Sequence, residues 1–309
     1  MSKRRPNLFL IGAMKSGTTS LHAYLGSHPE IFMCPEKEPQ FFAKETVWSR
    51  GEDWYLGLFA GAEDESVIGE SSTVYSRIPY FPGVPERIAK FNPEARFIYI
   101  MRDPLERTIS QYWFRVRFHQ ERRDMLTAVR EDLQLTAPSN YAMQLAPYFE
   151  RFGSDRIATL TFEELSRNTS KIMADLFTWL GVDRSFVPAN LGQRENVTPQ
   201  TIVLPKVGLL NHIGRALKPL IPSQIFSAAK RRLQAYESVN RNSSSVDEVI
   251  EFLRPMQKEQ VGRLEEMLGR SFPEWTTLYG DLTPGLFNAF APNAAAKPQI
   301  ASGRDETMR

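Results

Sequence analysis

Asn7-Leu-Phe-Leu-Ile11 runs directly into Gly12-Ala-Met-Lys15-Ser16-Gly17-Thr18-Thr19-Ser20. A continuous apolar run ended by a glycine has the pattern of a strand buried on both faces of a parallel sheet. Beyond the loop, Leu21, Tyr24 and Leu25 recur at helical spacing, which predicts strand, loop and helix in that order. A glycine-containing loop opening a helix aims backbone N–H groups and the positive end of the helix dipole at an anion. Gly12 and Gly17 have the spacing of the nucleotide-phosphate loop G-x-x-x-x-G-K-[ST]. Thr18, however, stands where that loop carries its lysine, and the lysine is at position 15. An ordinary ATPase or kinase is therefore disfavoured. The bland alternative is a helix-capping turn with an incidental lysine.

Working outward, Ser66–Gly69, Arg96–Met101 and Ile157–Phe162 read as three further strands. Asp103-Pro104-Leu105-Glu106 is a helix start, with Asp as cap, Pro in the first turn and Glu three residues on. Leu105, Ile109, Trp113 and Val116 mark the buried face of that helix. Tyr141, Leu145, Tyr148, Phe149 and Phe152 mark another, and Ile172, Met173, Leu176, Phe177 and Leu180 a third, closed by Gly181. Strands alternating with helices mean an α/β fold. The later third differs: residues 188–245 hold Pro188, Pro199, Pro205, Pro219 and Pro222 among short apolar clusters, with a basic run at Lys230-Arg231-Arg232. Val246–Leu253 and Gln257–Leu268 read as two helices separated by Pro255, and from Pro284 the chain loses periodicity.

The 309 residues suffice for a sizeable core, and 42% hydrophobic with 24% charged residues excludes a disordered or fibrous chain. Lys and Arg number 38 against 36 Asp and Glu, a net +2, so there is no bulk field for nucleic acid. The single cysteine, Cys34, allows no internal disulfide and suits a reducing compartment. His22, His28, His119 and His212 lie far apart without metal-ligand spacing. No apolar run approaches a membrane span. Lys3-Arg4-Arg5-Pro6 before the first apolar run mimics a leader peptide, but that run meets Lys15 without a cleavage site, so a cytoplasmic protein is expected.

Lys15-Ser-Gly-Thr-Thr-Ser20 resembles the 5′-phosphosulfate loop of sulfotransferases that use 3′-phosphoadenosine 5′-phosphosulfate (PAPS). The family's second element, a strand ending in Arg and then a helix carrying Ser, is matched by Phe97-Ile-Tyr-Ile-Met-Arg102 and Ser110. Glu36-Lys37-Glu38-Pro39-Gln40-Phe41-Phe42 resembles the Glu-x-[His/Gln]-Phe-Phe segment of heparan-sulfate-type sulfotransferases, with Glu38 at the position of the catalytic base. The similarity covers about residues 7–182. One departure concerns Gly69-Glu70-Ser71-Ser72-Thr73-Val74-Tyr75, where Ser71 occupies the position of a family lysine. It bears on the acceptor side and leaves the donor motifs intact.

The resemblance implies a P-loop-like three-layer sandwich, a central, mainly parallel sheet flanked by helices. Residues 1–283 are expected to form one domain, with the donor core at about 7–182, a helical acceptor or cap region at about 183–283, and a flexible tail at 284–309. The activity it implies is transfer of the PAPS sulfuryl group to a hydroxyl or amine of a small-molecule, lipid or saccharide acceptor. Adenosine 3′,5′-bisphosphate is then released, and no metal is required. Lys15, with Ser16, Gly17, Thr18, Thr19 and Ser20, would hold the 5′ end, and Arg102 and Ser110 the 3′-phosphate. Glu38 would take the acceptor's proton. Glu36, Glu70 and His28 are the other candidate bases, and Glu38 could instead be a surface carboxylate paired with Lys37 or Lys44. Arg107, four residues before Gln111, suits either a structural ion pair or a phosphate contact. Phe41, Phe42, Trp48, Trp54 and Tyr55 suit core and pocket wall, and the 230–232 run a solvated helix face or an anion-attracting one. The rival readings are a P-loop NTPase or small-molecule kinase, which requires a lysine after Gly17, and a catalytically idle nucleotide-binding module.

Overall fold

In the computed structural model, which describes residues 4–119, 121–192 and 245–280 and the backbone of 201–205 and 236–240, the first apolar run is a strand. This strand, β1 (Leu8–Gly12), is buried throughout. It lies at the centre of a five-stranded sheet with β2 (Ile31–Met33), β3 (Val67–Ser71), β4 (Arg96–Met101) and β5 (Ile157–Thr161), in the order β2-β3-β1-β4-β5. Every pairing in that sheet is parallel.

Burial on both faces follows from the period-2 alternation of side chains. Phe9, Ile11, Phe97, Tyr99 and Met101 face one layer, built from α2 (Val84–Phe91), α3 (Pro104–His119), α4 (Tyr141–Phe152) and α7 (Ser245–Leu268). Leu8, Leu10, Ile98 and Ile100 face the opposite layer, built from α1 (Thr18–Gly26), α5 (Phe162–Arg167) and α6 (Thr169–Leu180). The result is the expected three-layer α/β sandwich. Phe41 stacks on Tyr55 with centroids 4.3 Å apart, and Phe42 and Trp48 pack beside them as part of the first layer's core.

Some expectations change. The strand read as Ser66–Gly69 continues through Glu70 and Ser71, because these polar residues pair with Phe9 and Leu10 of β1 while fully buried. The three-residue β2 is too short to show a period. Pro255 does not separate two helices: α7 passes through it. Pro255 and Glu251, whose carbonyl loses its amide partner, are on the exposed side, where water can serve that carbonyl. Val249, Ile250, Leu253, Val261 and Leu264, from both halves, share the first layer's core. An antiparallel pair, β6 (Thr201–Pro205) with β7 (Tyr236–Asn240), was not anticipated. The basic run Lys230-Arg231-Arg232, His212, Pro199, Pro219, Pro222 and the tail 284–309 lie outside the described residues. Among the described residues no helix is long and apolar enough to cross a membrane.

Candidate active site

The loop 12–20, Glu38 and Arg102 follow the carboxyl ends of the parallel strands β1, β2 and β4, the edge at which open α/β sheets form their ligand crevice. The loop after β1 is pinned by Ala13 N–H donating to Ile100 O (2.6 Å) and Ser16 N–H to Ala13 O (3.2 Å). Lys15 adopts φ of 73°, in the left-handed region that costs a non-glycine residue conformational energy. Gly17 caps α1 with φ of 90°, and a Cβ there would sit 2.8 Å from the Phe162 ring. Only glycine satisfies both conditions. A Cβ at Gly12 would lie 2.5 Å from Ser76 Oγ and 2.6 Å from the Tyr99 ring. The loop is therefore drawn tight against β4 and the segment after β3.

Ser16 tests whether an oxyanion suits this loop. It is fully buried, and its Oγ has no hydrogen-bond partner among the described residues. A buried hydroxyl without a partner costs roughly 1–3 kcal/mol, which an incoming oxyanion would offset. The residues present fit a phosphate-type group.

Helix α3 links this loop to the end of β4. Asp103 caps it, accepting from Leu105 N–H (3.0 Å) and Glu106 N–H (3.4 Å). Glu106, Ser110 and Phe114 follow at intervals of four on one partly exposed face, each about 6 Å along the axis from the last. Glu106 holds Arg102, receiving Nε at 3.2 Å and Nη2 at 2.6 Å on one oxygen. The Arg102 guanidinium also lies 5.1 Å from the Phe162 ring centroid. At the other end of the face, Lys15 Nζ stands 4.7 Å from the Phe114 ring centroid. Ser110 lies between these two cations. Arg107 is different: it is fully buried and donates to Ser139, Gln111, Thr108 and the Leu135 carbonyl. None of these is a carboxylate, so Arg107 is a structural tie and neither half of the sequence expectation for it applies.

Glu38 follows β2 and has φ of 62°, with Gln40 at 59°. Its N–H donates to Ser71 O (2.9 Å), while Gln40 N–H donates to Ser72 Oγ (3.0 Å). The carboxylate receives Thr73 N–H on Oε2 and Thr73 Oγ1 on Oε1, each at 3.0 Å, and Lys37 Nζ on Oε1 at 3.3 Å. The pairing with Lys37 exists, yet the carboxylate is partly buried and held from inside the fold. Lys44 is not its partner.

Of the alternative bases, Glu36 is exposed. His28 is buried between Phe177 and Phe186, accepts from Glu30 N–H, and its Nε2 meets Asp183 O at 3.0 Å, so it fastens the end of α1. Glu70 is fully buried and accepts from Tyr55 OH (2.7 Å), Tyr75 OH (2.6 Å) and Ser72 Oγ (2.7 Å). Burial raises its pKa to about 7 against the downward pull of those three hydroxyls. Ser71 Oγ meets His22 Nδ1 at 2.7 Å, and burial with nearby Lys37 lowers that imidazole's pKa to about 4.

Thr73, Phe114 and Phe162 are the residues sequence reasoning missed. Extending the helical spacing from Ser110 by one turn would have found Phe114. A cavity of about 390 Å³, walled by Met14, Arg77, Gln111 and Phe114 among others, opens near Lys15, which reaches one of its walls at the Phe114 ring without lining it. No group of three or more His, Cys, Asp or Glu suited to a metal occurs among the described residues.

A sulfotransferase domain model matches residues 5–198. The membrane-associated sulfotransferase kil1 of Dictyostelium discoideum is 35% identical over 116 residues, 37% of this chain and 24% of that protein. The bifunctional heparan sulfate N-deacetylase/N-sulfotransferase 1 of Caenorhabditis briggsae is 26% identical over 203 residues, 58% of this chain and 23% of that protein. The chain thus spans about a quarter of the length of these relatives. The crystal structure of a sulfotransferase from Alicyclobacillus acidocaldarius superposes with a TM-score of 0.64 at 26% identity, covering 88% of this chain and 99% of that one.

Proposed function

The chain belongs to the sulfotransferase domain family, and from that premise we propose that it transfers the PAPS sulfuryl group to a hydroxyl or amine of a small-molecule, lipid or saccharide acceptor. The observation that carries this reading is the partnerless, buried Ser16 hydroxyl in a loop that opens a helix beside Lys15. PAPS supplies an activated sulfuryl group whose leaving group is a phosphate. By analogy with phosphoryl transfer, charge develops on that leaving group, so positioned cations and N–H donors provide most of the catalysis.

In this reading Lys15 neutralises charge at the 5′-phosphate, and residues 16–20 donate from the loop and the first turn of α1. Arg102 and Ser110 receive the 3′-phosphate. Glu38 accepts the acceptor's proton, its orientation fixed by Thr73 and Lys37. Oε2 receives one N–H from Thr73, which leaves it acceptor capacity for that proton. No residue is assigned to a metal. Residues 1–283 act as one domain, with 183–283 supplying acceptor contacts. A single, buried Cys34 suits the cytoplasm.

Incubation with sulfur-labelled PAPS and a metabolite extract, followed by a mass search for one added sulfate, tests the activity. The expected result is a labelled acceptor formed only with active protein. No labelled product, together with no binding of adenosine 3′,5′-bisphosphate, would overturn it.

A further inference from the structure

The arginines that line the cavity near Lys15 differ in how they are paired. Arg115 Nη1 pairs with Asp132 at 2.6 Å, and Arg123 Nη2 with Glu121 at 2.6 Å. Arg123 also meets Glu131 at 3.2 Å and Asp132 at 3.9 Å, so both of these arginines have carboxylate partners. Arg77, which also lines the cavity, has no carboxylate within ion-pair distance among the described residues. Its Nη2 donates to the neutral Gln134 Oε1 at 3.3 Å, and its Nε is buried without any partner. Tyr80 and Phe81 lie on it at 5.9 and 5.8 Å. Burial first, and then neighbouring Arg115, push its pKa below the usual arginine value, while Tyr80, Asp132 and Glu38 pull it the other way.

Arg77 is also placed where the reaction is proposed to occur. It follows Ser76, whose Oγ donates to Ile11 O beneath the loop, and it lies four residues after Thr73, which holds Glu38. Met14, the residue before Lys15, and Phe114, whose ring Lys15 Nζ approaches, wall the same cavity. A partly buried guanidinium with an unpartnered donor and no ion pair can donate a charge-assisted hydrogen bond to an incoming oxyanion.

We propose that this cavity is the part of the acceptor site that selects acidic acceptors, whose carboxylate, sulfate or phosphate group docks on Arg77 while a neighbouring hydroxyl or amine reaches out of the cavity towards Lys15 and Glu38. This rests on the sulfotransferase reading above. No bond changes at Arg77, which orients the acceptor and does not touch the transferring group.

Matched probes test it: 4-hydroxybenzoate against 4-hydroxybenzyl alcohol, and methyl β-D-glucuronide against methyl β-D-glucoside. Each is titrated by ligand-observed NMR into protein saturated with adenosine 3′,5′-bisphosphate. The acid of at least one pair is expected to bind about tenfold more tightly than its neutral partner. Arg77→Gln should erase that preference, and Arg77→Lys should keep part of it. Affinity for adenosine 3′,5′-bisphosphate, unchanged in both variants, shows that they fold. Acids that bind no better than their neutral partners, or a preference that survives in Arg77→Gln, would overturn the proposal. If wild type fails to bind adenosine 3′,5′-bisphosphate, the donor reading fails instead. The same titrations into unliganded protein then decide the Arg77 site with the same two outcomes.

Discussion

Thr73 holds both oxygens of Glu38, its N–H on Oε2 and its hydroxyl on Oε1, each at 3.0 Å. A base fixed in this way needs little reorganisation when a proton arrives, because its torsions are already restricted. Glu38→Gln keeps the shape but removes the proton acceptor. Turnover is expected to fall about 10²–10⁴-fold, with affinity for PAPS unchanged. Thr73→Val keeps the backbone donor and loses the hydroxyl, so roughly a tenfold loss in kcat is expected. Steady-state kinetics with calorimetric donor titration checks both. Wild-type turnover in Glu38→Gln would remove the base role from this residue.

Glu70 gives a pH dependence of stability. Its carboxyl has a pKa of about 7 in the fold against an ordinary 4.5, so the folded protein binds its proton more tightly than the unfolded chain does. The sign follows: between about pH 4.5 and 7 the native state holds more protons, and stability falls as pH rises through that window. Gln at this position can accept from Tyr55 and Tyr75 and donate to Ser72 without titrating. Thermal unfolding of wild type and Glu70→Gln between pH 5 and 8 should show the wild type losing Tm relative to the variant as pH rises. A constant difference across the range would show that Glu70 does not titrate there.

Some parts of this molecule were written locally and some were not. β1 and β4 were legible because burial on both faces makes each a continuous apolar run, and Arg96–Met101 is matched residue for residue. The end of β3 was hidden because Glu70 and Ser71 are buried while polar, satisfied by Tyr55, Tyr75, Ser72 and His22 from elsewhere. Pro255 pointed to a break because its missing N–H is a local fact, whereas the packing of both halves of α7 on one core is not. The same division runs through the candidate site. The residue types at Lys15, Ser16, Glu38, Arg102 and Ser110 stand in short motifs. The grip of Thr73 on Glu38 joins residues 35 apart, and the ring of Phe114 beneath Lys15 joins two elements that only the fold brings together.

Chelator should not abolish turnover. The leaving phosphate is assigned to Lys15 and the loop donors, so no divalent cation is asked to stabilise it. Full activity is expected in excess EDTA, measured by transfer of labelled sulfate. Loss with chelator and recovery with magnesium would return weight to a kinase-like chemistry.

The last expectation concerns discrimination between PAPS and adenosine 5′-phosphosulfate, which lacks the 3′-phosphate. Glu106 already holds Arg102 through Nε and Nη2, both on the same Glu106 oxygen, while Nη1 makes no hydrogen bond among the described residues. Glu106 is itself fixed by Thr277 Oγ1, which donates to its other oxygen at 3.0 Å. The guanidinium is thus oriented before any ligand arrives, and its free edge can receive a phosphate oxygen at little entropic cost. Ser110, one turn beyond Glu106, can add a hydroxyl from the same helix face. A hydrogen bond to a charged group contributes on the order of 1.5–3 kcal/mol, so removing one weakens binding roughly ten- to a hundredfold. Arg102→Ala and Ser110→Ala should therefore weaken PAPS and adenosine 3′,5′-bisphosphate together. Both variants should bind adenosine 5′-phosphosulfate as wild type does, because the group they contact is the one it lacks. Calorimetric titration of the three ligands against the three proteins decides it. Equal losses for all ligands would mean that Arg102 and Ser110 support the fold, Arg102 through its pairing with Glu106, and that the 3′-phosphate is held elsewhere.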